Sequence, residues 1–139
     1  MKKRTPVSEI MTRDVITLNH KDDLDIAEKL FKKNNIRHIP VVSGDKIIGL
    51  LSYTDLLRIS FADAIDEDEQ NVDTVVYNMF TIEQVMAKNL VSVSSNTTIL
   101  EVAKILAKKE FHALPVVDDD KLVGIVTTTD LIEYLIQQY

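Results

Sequence analysis

The chain has no cysteine, only three glycines and no surplus of basic charge. Without cysteine there are no disulfides, thiolate metal sites or cysteine nucleophiles. Three glycines cannot build a glycine-rich phosphate loop of the Walker type. Sixteen Lys and Arg stand against 22 Asp and Glu, a net charge of −6, where a nucleic-acid binder carries a basic face. No apolar run approaches the roughly 20 residues that cross a membrane. The basic start Met1-Lys2-Lys3-Arg4 is not followed by the apolar stretch of a signal peptide. These absences lead to the expectation of a cytoplasmic protein with neither nucleic acid nor membrane as partner. Catalytic patterns are missing as well: no Ser-His-acid set in a recognisable context and no His-x-x-x-His pair, so no enzymatic role is expected.

What is present is a duplication. Residues Val7 to Ile59 lie on Ile82 to Tyr134 at a constant offset of 75 residues without a gap. Met11 falls on Met86, Pro40-Val41-Val42 on Pro115-Val116-Val117, and Gly49 on Gly124. Asp45-Lys46 falls on Asp120-Lys121, and Thr54-Asp55-Leu56 on Thr129-Asp130-Leu131. A gapless match of this length makes the chain a tandem of one supersecondary unit. The 139 residues are 45% hydrophobic, an ordinary globular composition at single-domain size. Each repeat would be marginal alone, which suggests one shared core.

Within the first repeat, Val15–Leu18 reads as a strand. Asp22-Asp23 offers an N-cap to a helix along Leu24, Ala27, Leu30 and Phe31, ended by Asn34-Asn35. Ile36–Val42 and Lys46–Ser52 are strands about a Ser43-Gly44-Asp45 turn, and Tyr53–Ile59 opens a second helix. The second repeat gives a strand at Leu90–Val93 and a capping box, Thr98-x-x-Glu101, before a helix. Strands Leu114–Val117 and Lys121–Thr127 then flank an acidic turn, Asp118-Asp119-Asp120, and Leu131–Ile136 is a closing helix. That turn is a better account of the three Asp than a cation site. The division is 1–60 for the first unit, 61–81 for a linker and 82–139 for the second unit. The linker holds an acidic run, Asp66-Glu67-Asp68-Glu69, and then Val72, Val75, Val76, Met79 and Phe80 at the spacing of a short helix.

Arg37-His38-Ile39-Pro40-Val41-Val42 with Gly49-Leu50-Leu51-Ser52-Tyr53-Thr54-Asp55 resembles a CBS (cystathionine-β-synthase) domain. The second copy reads His112-Ala113-Leu114-Pro115-Val116-Val117 with Gly124-Ile125-Val126-Thr127-Thr128-Thr129-Asp130. Val7-x-x-x-Met11 and Ile82-x-x-x-Met86 resemble the segment that leads into such a domain. The resemblance implies an α/β fold: two β-α-β-β-α CBS units packed as a pseudo-twofold Bateman module. It also implies adenosine nucleotides or related adenosyl compounds (AMP, ADP, ATP or an S-adenosyl compound) as regulatory ligands in inter-domain clefts. No tightly held cofactor is expected. A homodimer and an effector protein of unknown identity are the implied partners.

The constellation with chemical content is Ser52-x-x-Asp55 and its twin Thr127-x-x-Asp130, each where a strand gives way to a helix. A carboxylate there can accept hydrogen bonds from both hydroxyls of a ribose, and the hydroxyl three residues earlier can donate to a phosphate. The helix N-terminus favours the same anion. The same residues are also plain helix N-caps, and the two roles are compatible. The resemblance assigns them to ribose and phosphate. It further points to Arg37, His38 and His112, just before the strand proline, as phosphate partners, and to Thr17 and Ser92 as lining the pocket. His20 has no motif partner and is expected to be exposed. The sequence therefore leads to a non-enzymatic adenosine-nucleotide sensor, with a structural or dimerisation module as the alternative.

Overall fold

A computed structural model of the protein describes residues 4–62, 77, 79–109 and 111–139. The acidic run Asp66-Glu67-Asp68-Glu69 and the expected helical positions Val72, Val75 and Val76 lie outside the described residues. In chain order the elements are a 3-10 turn at Val7–Glu9, β1 (Leu18–Asn19), α1 (Leu24–Asn34), β2 (His38–Ser43), β3 (Lys46–Ser52) and α2 (Tyr53–Ala62). There follow α3 (Ile82–Val85), α4 (Ile99–Lys108), β4 (Ala113–Asp118), β5 (Lys121–Thr127) and α5 (Thr128–Gln137). The chain is mixed α/β and built from one unit used twice.

Local chemistry sets the element ends. Asp23 caps α1 by accepting from the Ile26 N–H at 2.9 Å. Asn35 ends the helix in the left-handed region at φ 52°, a conformation that asparagine tolerates better than most residues. Thr98 caps α4 by accepting from the Glu101 N–H at 3.1 Å. Before α3, Thr81 and Gln84 form a full capping box. The two hairpin turns reach the same end differently. Gly44 takes φ 63° in the first, whereas Asp119 and Asp120 take φ 49° and 63° in the second. Two successive positive φ values are the pattern of a type I′ turn.

The two hairpins repeat in register as well as in sequence. Ile39 faces Leu51 as Leu114 faces Val126, and Val42 faces Ile47 as Val117 faces Leu122. A register shift falls between Val41 and Val42, and again between Val116 and Val117. The leading strand of each repeat is shorter than expected. In place of Val15–Leu18 there is Leu18–Asn19, parallel to Val41 and Val42, and in place of Leu90–Val93 a single parallel bridge, Val93 to Val116. Pairing starts just past Pro40 and just past Pro115. A proline has no N–H to give a ladder, so the strand beside it has no donor to pair with earlier.

Repeat and compact unit do not coincide. One compact unit is Ile16–Leu90; the other is Met1–Val15 with Val91–Tyr139. Each unit thus contains the leading segment of the other repeat. In the unit built on the second repeat, the Val7 N–H donates to Thr97 O at 2.7 Å, and Thr12 exchanges backbone bonds with Ile125 at 2.9 and 3.0 Å. In the unit built on the first, Ala87 and Leu50 exchange bonds at 2.9 and 3.0 Å.

The buried apolar side chains form two clusters among the described residues, one in each unit, where the sequence reading expects one shared core. The first gathers Leu18, Leu24, Ala27, Phe31, Ile39, Val41, Leu51 and Leu56 with Tyr77, Ile82 and Met86. The second gathers Val93, Val102, Leu114, Val116 and Val126 with Val7 and Met11. The methionines explain the paired glycines. A Cβ on Gly49 would fall within 2.1 Å of the Met86 sulfur, and a Cβ on Gly124 within 2.7 Å of the Met11 sulfur and 2.9 Å of Thr12 O. Strand β3 admits Met86, and β5 admits Met11, because neither glycine has a side chain.

Two carboxylates tie segments together. Burial pushes the Glu28 carboxyl up, but hydrogen bonds from Lys32 and the buried Tyr77 outweigh it and hold the group below its usual range. Asp118, in the acidic turn, accepts from both the hydroxyl and the N–H of Ser95, at 2.5 and 3.0 Å. These bonds hold its carboxyl below the ordinary value. A depressed carboxyl stabilises the fold above its unfolded pKa, about 3.9, and ceases to do so as pH falls through the folded value. Ser95→Ala should therefore lower the urea midpoint of the second-repeat unit at pH 7, and the gap from the parent should close under acid conditions below the carboxylate range. A gap that persists unchanged in acid would place the role of Ser95 elsewhere.

Candidate functional site

In each repeat the site residues gather where the hairpin passes into a helix. His38 and Ser52 face each other at the open end of β2 and β3, and Ala113 and Thr127 do so in β4 and β5. The Tyr53 N–H donates to Arg37 O at 2.8 Å, and the Thr128 N–H donates to His112 O at 3.0 Å. The residue before each hairpin is thereby pinned to the first turn of the following helix. This crossing brings Arg37, His38, Ser52 and Asp55 together in one unit, and His112, Thr127 and Asp130 in the other.

The Ser/Thr-x-x-Asp pairs form reciprocal capping boxes. The Asp55 N–H donates to Ser52 Oγ at 3.0 Å, and the Ser52 N–H donates to Asp55 Oδ2 at 3.3 Å. In the twin, the Asp130 N–H donates to Thr127 Oγ1 at 3.2 Å, and the Thr127 N–H donates to Asp130 Oδ2 at 2.9 Å. Capping is thus a role these four residues do perform. It leaves chemistry unspent, since each hydroxyl accepts within the box and retains its own proton for donation. Each carboxylate uses one oxygen in the box. The other oxygen of Asp55 meets Arg58 Nη1 at 3.5 Å. All four residues are half-buried, so they are fixed by the fold and reachable from outside.

The remaining candidates are more scattered. Arg37 is exposed and borders a hollow of about 290 Å³ with Phe31, Lys32, Asn35, Ile36 and Tyr53. Phe31 and Tyr53 meet there edge to face, with ring centroids 5.3 Å apart. His38 is half-buried and already has a partner within the protein, whereas His112 is exposed. Thr17 is exposed just before β1, whose Leu18 pairs with Val41, so it stands beside the middle of β2 and not at its start. Ser92 is exposed one residue before the Val93 bridge. His20 differs from expectation: it is half-buried, with Nδ1 at 3.0 Å from Glu83 Oε1. Sequence reasoning also passed over Arg58. The signal was available, because a cation three residues after Asp55 on a helix lies on the same face.

Among the described residues no group of three or more His, Asp or Glu side chains is gathered that could hold a metal ion. Asp118, first of the acidic turn, is taken up by Ser95. Among the described residues no helix is long and apolar enough to cross a membrane.

Comparison with known proteins follows the duplication. A family profile described as the CBS domain matches residues 7–62 and again 82–137. Protein MJ1225 of Methanocaldococcus jannaschii is 32% identical over 131 residues, which are 94% of this chain and 42% of that one. Its crystal structure superposes with a TM-score of 0.83 at 25% identity, covering 97% of this chain and 49% of that chain. The chain spans less than half of that relative. The CBS domain pair of protein MJ0100, in complex with 5′-methylthioadenosine and S-adenosyl-L-methionine, has a TM-score of 0.79 at 26% identity, covering 97% of this chain and 98% of that one. CBSX2 in complex with AMP shares the fold, with a TM-score of 0.79 at 22% identity over 96% of this chain and 97% of that one.

Proposed function

The chain belongs to the CBS domain family, and on that premise we propose that it is a non-enzymatic sensor of adenosine compounds that reports their occupancy to a partner protein. The carrying observation is the pair of half-buried boxes, Ser52 with Asp55 and Thr127 with Asp130. Each presents a hydroxyl proton and a carboxylate at a helix N-terminus, the set needed to hold a phosphate and a ribose diol side by side. The adenosyl ligands of the MJ0100 pair support this class of ligand. The ligand is regulatory: AMP, ADP, ATP or an S-adenosyl compound, with no tightly held cofactor. Arg37 and His38 in the first repeat, and His112 in the second, are the proposed phosphate partners; Thr17 and Ser92, on the segments that lead into the parallel pairing, are the proposed pocket lining.

The test is titration calorimetry on Asp55→Ala and Asp130→Ala. Each should cost about 1–3 kcal/mol of adenosine-ligand binding at its own repeat, and Asn should be milder because it keeps one acceptor oxygen. Unchanged affinity in both would leave only the capping role. A dimerisation module without ligand is favoured by one observation, the exposed Ile132, Leu135 and Ile136 on α5. The two readings separate in a thermal-shift assay with adenosine nucleotides, where only a sensor gains stability.

Association belongs to both readings. Apolar surface of this kind is typical of interfaces between chains. A homodimer of twice the 15.8 kDa chain mass is expected in sedimentation. A single species at the monomer mass at micromolar concentration would remove the dimer from the proposal. The effector and a cytoplasmic location complete the proposed reading.

A further inference from the structure

The two candidate sites are copies in their boxes but opposites in their surroundings. Arg58, one turn along α2, places Nη1 3.5 Å from Asp55 Oδ1. The 75-residue offset puts Glu133 at that position of α5, one turn beyond Asp130. Glu133 is exposed and has no ion-pair partner among the described residues. The contrast extends to neighbouring positions, where Arg37 is matched by His112 and His38 by Ala113. Two arginines, Arg58 and Arg37, stand near the first box. Around the second, two carboxylates stand one helical turn apart with no fixed cation at the matching positions.

We propose that Arg58 and Glu133 give the two sites opposite ligand preferences. The first-repeat site takes an adenosine ligand carrying phosphate. The second-repeat site takes one without phosphate, whose 5′ substituent is uncharged or cationic, such as a thioether or a sulfonium. This rests on the reading that Asp55 and Asp130 hold ribose. The ribose diol anchors either ligand at the same carboxylate, so discrimination falls to the charge met by the 5′ substituent. A phosphate near Asp55 sees Arg58 and Arg37 offset the carboxylate. Near Asp130 it sees a second negative charge, and like charges in one site oppose each other. Both side chains are exposed and act through solvent, so the preference is modest in size and weakens as salt screens it. The duplication supplies its own control, because backbone, box and register are common to both sites.

The experiment compares AMP with 5′-methylthioadenosine on the unaltered protein, Arg58→Glu and Glu133→Arg, by calorimetry at low and high salt. Amide shifts in NMR locate each ligand without disabling either site. AMP should move residues His38–Ser43 and Lys46–Ser52 first, and 5′-methylthioadenosine should move Ala113–Asp118 and Lys121–Thr127 first. Arg58→Glu should weaken AMP at the first repeat by roughly three- to tenfold, with a smaller loss at high salt and no comparable loss of 5′-methylthioadenosine. Glu133→Arg should bring AMP to the second repeat. If both ligands bind but shift both hairpins alike, or if neither substitution alters their ratio, the charge inference is overturned and the ribose reading stands. If neither ligand binds the folded, unaltered protein, the ribose reading fails and the inference falls with it.

Discussion

Deleting the chain through Thr12 should unfold the unit built on the second repeat and leave the unit built on the first repeat folded. The deleted stretch belongs to the first repeat in sequence, so adjacency alone leads to the opposite result. Its side chains are spent elsewhere. Val7 is fully buried and Met11 is 8% exposed, and both belong to the cluster of Val93, Val102, Leu114, Val116 and Val126. Burying two such side chains is worth roughly 1.5–3 kcal/mol each. The backbone bonds from Val7 to Thr97, and both bonds between Thr12 and Ile125, are lost with them. A single core of this size rarely supplies more than about 3–5 kcal/mol in total, so the loss matches everything the unit has. Hydrogen exchange followed by mass spectrometry reads the outcome. Protection should vanish in Ala113–Asp118 and Lys121–Thr127 and persist in His38–Ser43 and Lys46–Ser52. Loss confined to the first-repeat hairpin would mean that the leading segments are not exchanged.

Much of the unit was legible because its signals are local. Asp23 and Asn35 mark the ends of α1 in sequence and act there as caps. The run Asp118-Asp119-Asp120 has the composition of a turn, and Asp119 and Asp120 adopt the positive φ values such a turn needs. The exchange was not legible. Met11 and Met86 recur at the repeat offset, as do Gly49 and Gly124, but the sequence does not say which methionine meets which glycine. Both pairings use the same residues at the same spacing. Only the path of the chain separates them, and that path is set by long-range packing with no local signature. The leading strands are shorter than their sequence pattern for a related reason. Alternation of apolar and polar residues marks a strand, but the ladder also needs a donor on the neighbour, and Pro40 and Pro115 have none.

The candidate site divides in the same way. Ser52, Asp55, Thr127 and Asp130 were legible because spacing of three before a helix has a fixed geometry, and the boxes form as that geometry requires. Their capping does not establish their ligand role, since a cap and a ribose contact call for the same residue types. The opposition of Arg58 and Glu133 is only half legible in sequence: spacing of three puts Arg58 on the face of Asp55, but the charge at an exposed helix position varies freely. It acquires meaning only once Arg58 is seen against the Asp55 carboxylate.

Gly124→Ala should destabilise the protein by about 3 kcal/mol, and Gly49→Ala by distinctly less, although both glycines hold the same place in the repeat. The difference lies in what the new methyl group meets. At Gly49 the three nearest atoms all belong to the Met86 side chain, at 2.1 to 2.8 Å. A methionine has three rotatable bonds and can swing aside, so the cost is about 1–2 kcal/mol of imperfect repacking. At Gly124 the methyl meets Met11 and also the Thr12 carbonyl oxygen at 2.9 Å. That oxygen accepts the Ile125 N–H at 3.0 Å, and the Thr12 N–H donates back to Ile125 O at 2.9 Å. Moving the backbone aside strains two hydrogen bonds, each worth about 0.5–1.5 kcal/mol, on top of the overpacking. Met86→Ala should recover part of the loss in Gly49→Ala, because the space vacated by the sulfur is where the methyl goes. Met11→Ala should recover less in Gly124→Ala, because it leaves the carbonyl in place. Urea unfolding of the four single and two double variants measures both couplings. Equal couplings in the two cycles would show that the Thr12 backbone yields as easily as a side chain, and would remove the distinction drawn between the two glycines.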